Sequence, residues 1–435
     1  MAPNEKVDCP PLGISSVNLA VEVWLIIFRW ATWPPPHLEH PAEYHPFAPP
    51  SHEGEYADMV GPLAVKRTLA LVCKQWRQMT LPLLYEFLVL NSREQVLSLG
   101  NVLDGHEEYR GYVQTVLLRP LGPLDGMRVH PRDVLEILGR CPNILTIMKP
   151  WWLAQPTDYM GAAQDHSHYL HEPAHPSLIP GHAMISPALT RLEWEHTRHG
   201  DAALFYHFTH HSPKLRYLYL SRVSLWNGRM LDLERPLAIP TVTTLRLNVR
   251  NSWLFHSIRK WRLPALTHLL IESIPSDFSQ IQMQALVQAF SSTPKVVELG
   301  AHMRLMLTDC ITPILRSCQS LDTIALYISF AELPDVDKHP QTERWAVKHV
   351  RVHIKPNPFS ADTHPGLPVV PSHVLRFARW CTRLAGLEVV TFHDDWQAVL
   401  TNNHKALVEA RRILKGSGWR IEHDDGRLVE FLDDA

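Results

Sequence analysis

The stretch Ser212–Leu220 reads SPKLRYLYL, and its spacing sets the fold. Leu215, Leu218 and Leu220 are apolar at steps of three and two. The last two lie two residues apart, so on a strand they share one face. The same nine-residue phrase returns along the chain. Clear copies are SPALTRLEW (186–194), IPTVTTLRL (239–247), LPALTHLLI (263–271), TPKVVELGA (293–301), CQSLDTIAL (318–326), RWAVKHVRV (344–352) and CTRLAGLEV (381–389). RGYVQTVLL (110–118) and CPNILTIMK (141–149) are weaker copies. Most copies are spaced 24 to 31 residues apart, and a step of 45 separates Ile144 from Leu189. Between copies lie runs with helical spacing, RDVLEILGR, AALFYHFTH, QMQALVQAF and SHVLRFARW among them.

A strand, a loop and a helix repeated at this period resemble a leucine-rich-repeat solenoid, in the class with Cys or Ser ahead of the strand. One such unit cannot bury its apolar face alone; stacked units bury a continuous spine. The asparagine usual in that family three residues past the last strand leucine is replaced by Val223, Arg250 and Ile274, so the resemblance implies an irregular solenoid. The expected fold class is α/β: a helical module, then a curved parallel sheet with outer helices and loops. The solenoid is assigned to residues 95–430 with a loop insertion at 150–187, and GWRIEHDDGRLVEFLDDA reads as a last strand and cap.

The 435 residues carry a formal charge of −2, 45% hydrophobic and 20% charged residues. That balance is globular, and it supplies no global field toward nucleic acid or anionic membrane. The longest early apolar run, LAVEVWLIIF, contains Glu22 and is too short to span a bilayer. The six cysteines form no C-x-x-C pair, which fits a reducing cytoplasmic or nuclear setting with free, mostly buried thiols.

Two segments precede the repeats. VNLAVEVWLIIFRWAT (17–32) has Leu19, Val23, Ile26, Ile27 and Trp30 at helical spacing. In VKRTLALVCKQWRQMTLPLLYEFLVL (65–90), Leu69, Val72, Cys73 and Trp76 share one helical face, and Pro82 suits the first position of a third short helix. Together they resemble an F-box of the expanded fungal families, with Leu19, Glu22, Val23, Ile27 and Phe28 matching its first helix. Leu69, Val72, Cys73, Trp76 and Arg77 match its second. Ala20 replaces the family's proline, and a proline- and histidine-rich insertion at 33–62 separates the helices within a module spanning 15–90. Loop-closure entropy grows slowly with length, so such an insertion can loop out.

The resemblance implies docking on a Skp-family adaptor, and through it a cullin–RING ubiquitin ligase of SCF type, by Leu19, Val23, Ile27, Phe28, Leu69, Val72, Cys73 and Trp76. The solenoid would then hold a protein substrate. The alternative is a ligase-independent interaction scaffold whose N-terminal helices only cap the solenoid's end.

The residues between the core leucines point to the opposite, concave face. They include Arg191, Glu193, Thr244, Leu270, Thr323, Ala325, Gly386 and Glu388. Tyr217, Tyr219, Arg246 and His268, with His349, Arg351 and His353 further along, are the candidate substrate-binding patch, since Tyr and Arg favour contact hot spots. One motif suggests chemistry instead. His166–Leu178 contains His171, Glu172 and His175 in the H-E-x-x-H pattern of zinc proteases. That site needs a helix, but Pro173 interrupts it and Pro176 pushes His175 from helical geometry. The segment, with His166, His168 and His182, reads as a polar loop. No catalytic constellation, metal or cofactor is expected, and no enzyme.

Overall fold

The computed structural model describes residues 20–32, 43–48, 55–90, 92–118, 131–149, 187–195, 200–221, 237–248, 258–273, 280–300, 309–328, 333, 345–354, 367 and 369–431. Leu19 and the histidine-rich loop lie outside them.

Helix α1 (Val21–Ala31) is followed by α2 (Glu55–Val72) and α3 (Lys74–Glu86). Strand β1 (Phe87–Leu90), α4 (Arg93–Gly105), α5 (Glu107–Arg110) and β2 (Thr115–Leu118) come next. Then run α6 (Pro131–Arg140), β3 (Thr146–Lys149), β4 (Arg191–Glu195), α7 (Gly200–His211), β5 (Tyr217–Ser221), β6 (Thr244–Asn248) and β7 (His268–Ser273). The chain continues through α8 (Gln280–Ala289), β8 (Val296–Leu299), α9 (Ile311–Ser317), β9 (Thr323–Tyr327) and β10 (His349–His353). It closes with α10 (Pro371–Cys381), β11 (Val389–His393), α11 (Gln397–Leu400), α12 (Lys405–Gly416) and β12 (Arg420–His423).

The 12 strands form one sheet in the order β1 to β12, each strand beside its sequence neighbours, and the pairings are parallel. Sequential parallel pairing with helices between strands is a solenoid-like α/β arrangement. A ladder of backbone bonds joins one strand entrance to the next: Arg216 N–H to Thr190 C=O, Thr243 to Arg216, Thr267 to Thr243, Lys295 to Thr267, and so on to Arg420 with Glu388. The core face carries Leu192 and Trp194, Leu218 and Leu220, Leu245 and Leu247, Leu269 and Ile271, all fully or nearly fully buried in one continuous core. Lys149 takes the register position of Trp194; its ammonium stays satisfied by donating to Glu195 C=O at 2.7 Å.

Register corrects two copies of the repeat. Val297 and Leu299 pair with Leu269 and Ile271, so TPKVVELGA is shifted by two residues and Pro294, not Val296, starts its apolar set. Val390 and Phe392 pair with Val350 and Val352, so the last copy is Leu387-x-x-Val390-x-Phe392. Val389 and Thr391 therefore take the places expected for Gly386 and Glu388. Apolar residues three apart fit either phase; inter-strand bonding selects one.

The N-terminal module also differs from expectation. The long second helix breaks at Cys73, which is fully extended (φ −159°, ψ 170°) and caps α3, its Sγ accepting from Trp76 N–H at 3.4 Å. Pro82 lies inside α3 rather than starting a third helix. Helix α2 begins at Glu55, inside the span assigned to the insertion.

Candidate functional site

The N-terminal helices have their own small core. Phe28, Met79 and Leu83 are buried together, with Trp24, Leu69 and Trp76 packed against them and apart from the sheet's core. Trp76 meets Phe28 edge-on at 4.8 Å and Trp24 at 5.0 Å, a geometry that adds to apolar burial. The expected docking residues thus divide. Phe28 is buried inside the module, and Leu69 and Trp76 are half-buried. Val23, Ile27, Val72 and Cys73 face solvent. Sequence reasoning missed Leu71, which is 85% exposed. It also left Ile26 and Trp30 out of the docking set. Of the 12 exposed large apolar side chains among the described residues, nine lie on α1 and α2.

The second face of the sheet, where the substrate patch was expected, is a packed polar network. Arg246 and Glu272 form an ion pair whose side chains are 6% and 5% exposed. Tyr219 donates its hydroxyl to Glu272 at 3.4 Å, and Arg246 reaches the Tyr217 hydroxyl at 3.4 Å. Arg191 lies over the Tyr217 ring at 4.1 Å and pairs with Glu193. Burial raises the pKa of both tyrosines, so their hydroxyls stay protonated. For Arg246, burial opposes the charge, but Glu272 and its other neighbours outweigh it and raise the pKa.

Further along, His349 Nε2 contacts Thr391 Oγ1 at 2.7 Å, and Thr391 donates to Glu422 at 3.2 Å. Arg351 Nη1 approaches His393 Nε2 at 3.5 Å. Burial, with Arg351 adding repulsion, pushes His349 and His393 down to about 4, so both rings are neutral at pH 7. Burial also lowers His268.

This face is not open. Residues 43–48, from the linker between α1 and α2, sit on it. Ala48 N–H returns to His45 C=O at 3.2 Å; Pro46 is second in that turn and Phe47, third, has φ 56°. Proline second and a positive φ third is the type II pattern, which favours glycine; a phenylalanine there is strained. The turn aims the Phe47 ring at Tyr327, His353 and His393, with centroids 5.0, 5.2 and 4.8 Å away. Tyr44 donates its hydroxyl to Glu298 Oε2 at 2.6 Å and stands against His268 at 4.6 Å. Phe47 N–H donates to the same oxygen at 3.1 Å, and Arg246 donates to Ala48 C=O at 2.8 Å. Glu298 is buried and its pKa is raised by that burial, against the pull of Arg246, Tyr44, the Phe47 amide and Arg351.

Of the expected patch, Tyr217, Tyr219, Arg246 and His268 are thus brought together on β5 to β7, with Arg246 and His268 under the linker. His349 and Arg351 lie further along on β10. Tyr44 and Phe47 were missed. Two aromatics three apart within a proline- and histidine-rich stretch were the available signal.

No family model matches the chain, and no curated protein matches it. A structural-genomics protein from Bacteroides fragilis superposes over 78% of this chain and 74% of its own, at 7% identity and a TM-score of 0.35. So slight a likeness carries no argument. Among the described residues, no helix is long and apolar enough to cross a membrane.

Proposed function

We propose that the chain is a non-catalytic receptor. Its F-box-like helices dock a Skp-family adaptor of a cullin–RING ubiquitin ligase, and its leucine-rich-repeat-like sheet domain holds a protein client. The observation that carries the docking half is the distribution of exposed apolar side chains. Ile26 (57%), Trp30 (72%) and Leu71 (85%) stand in solvent on helices whose own core is already filled by Phe28, Met79 and Leu83. Exposed apolar surface concentrated on one module marks a protein-binding site. A cap would turn such side chains onto the solenoid's end. Among the described residues α3 does so: Tyr85 packs against the main core and stacks on Tyr109 at 4.7 Å.

Co-purification of the full chain with a Skp-family adaptor tests the reading. Capture by the wild type and its loss in a folded Ile26→Glu/Leu71→Glu variant support it. Failure of the wild type to capture the adaptor leaves the scaffold reading.

A further inference from the structure

Residues Glu43–Ala48, EYHPFA, form hydrogen bonds with side chains that lie 198 to 254 positions further along the chain, and the Phe47 ring reaches further still, to His393. They touch the sheet as a bound peptide would. The phenol and a backbone N–H converge on one carboxylate, Glu298. A backbone carbonyl is held by Arg246, and an aromatic ring enters a recess among Tyr327, His353 and His393. The groups making these contacts come from β6 to β11, so the recess belongs to the sheet and not to the linker. A tie between two parts of the molecule requires neither aromatic anchor nor a strained turn. Phe47 holds a positive φ because the recess repays it.

We propose that this face recognises a partner peptide presenting Tyr-x-x-Phe across a tight turn, and that Glu43–Ala48 occupies it as a tethered pseudo-ligand which the partner displaces. The inference rests on the reading that the sheet domain holds a protein client, and it adds the chemistry of that client. The tyrosine must be unmodified, because a phosphate dianion on its oxygen would face the buried Glu298 carboxylate. Recognition of this kind combines backbone hydrogen bonds with pockets for spaced side chains.

The probe is a fluorescein-labelled peptide of residues 41–50, PAEYHPFAPP, titrated into full-length protein and followed by anisotropy. In the wild type the tethered segment competes at an effective concentration of the order of mM. A Tyr44→Ala/Phe47→Ala variant vacates the face, so it binds the peptide at least tenfold more tightly than the wild type. The phosphotyrosine peptide, and one with both aromatics replaced by alanine, show no binding. Absence of binding to the folded double variant overturns the proposal, as does equal binding of the alanine peptide. Should the double variant lose its cooperative melt, Tyr44→Phe replaces it. That change removes only the hydroxyl bond to Glu298, and a several-fold gain is expected; affinity equal to the wild type overturns the proposal. Adaptor capture by the same proteins separates the two readings. Retained capture without peptide binding removes this inference alone, and peptide binding without capture removes the docking reading alone.

Discussion

Arg246→Met isolates the charge chemistry of the second face. The guanidinium is 6% exposed beside a Glu272 carboxylate that is 5% exposed, so methionine fills much of the volume but leaves the carboxylate buried without its cation. Breaking a buried pair from one side costs about 3–5 kcal/mol, whereas replacing both partners with apolar residues is often close to neutral. Arg246 also lowers the pKa of Glu298, so the single variant weakens the support of a second buried carboxylate, which keeps its bonds from Tyr44 and the Phe47 amide. The expected loss is therefore about 4 kcal/mol at pH 8, most of it recovered in Arg246→Met/Glu272→Leu. Protonation relieves a stranded carboxylate, so the single variant's deficit shrinks at pH 5. Urea unfolding followed by circular dichroism measures this, with the two variants and the wild type compared at both pH values. A single variant within about 1 kcal/mol of the wild type at pH 8 would refute the reasoning, as would a double variant no more stable than the single one.

Other predictions concern different parts of the fold. His349, His393 and His207 are each pushed down to about 4 by burial, the first two also by Arg351 and the third by His211. The unfolded chain thus binds more protons between its histidine pKa of 6.5 and about 4, and thermal stability falls as pH drops through that window. An unchanged melting temperature from pH 7 to pH 4.5 would contradict those environments. A Cβ on Gly300 would meet the Glu272 Cα at 2.6 Å, whereas one on Gly386 meets nothing closer than 3.4 Å. Gly300→Ala should cost about 1–3 kcal/mol by overpacking, and Gly386→Ala within about 0.5; equal urea midpoints for the two would sink the argument. Leu71→Glu should leave stability within about 0.5 kcal/mol, because the side chain is already in water, while reducing adaptor capture. A large drop in melting temperature would show that Leu71 packs somewhere after all.

The repeat was legible because the sheet's core face is filled by large apolar side chains, at positions three and two apart on most strands, with Lys149 an exception on β3. That periodicity survives in Leu215, Leu218 and Leu220 without knowledge of any contact. The helices following β2, β4, β7 and β10 were legible for the same reason. Phase was not, where Val296 and Val297 or Leu384 and Leu387 offered two frames; hydrogen bonds to the neighbouring strand chose between them. The break at Cys73 was hidden because Leu69, Val72 and Trp76 fit an unbroken helical face equally well.

The sequence by itself therefore determined that strands stack in order on a continuous apolar spine, since that is a local, repeated property of side-chain size. Only the tertiary structure decided what lies on the opposite face. Arg246, Glu298 and His393 carry no shared pattern, and Tyr44 and Phe47 come from a linker far from them in sequence. Their meeting depends on long-range geometry, in which a buried carboxylate and guanidinium take up the donors and acceptor of one short segment. Periodicity cannot encode such a contact, because each of its residues occurs once.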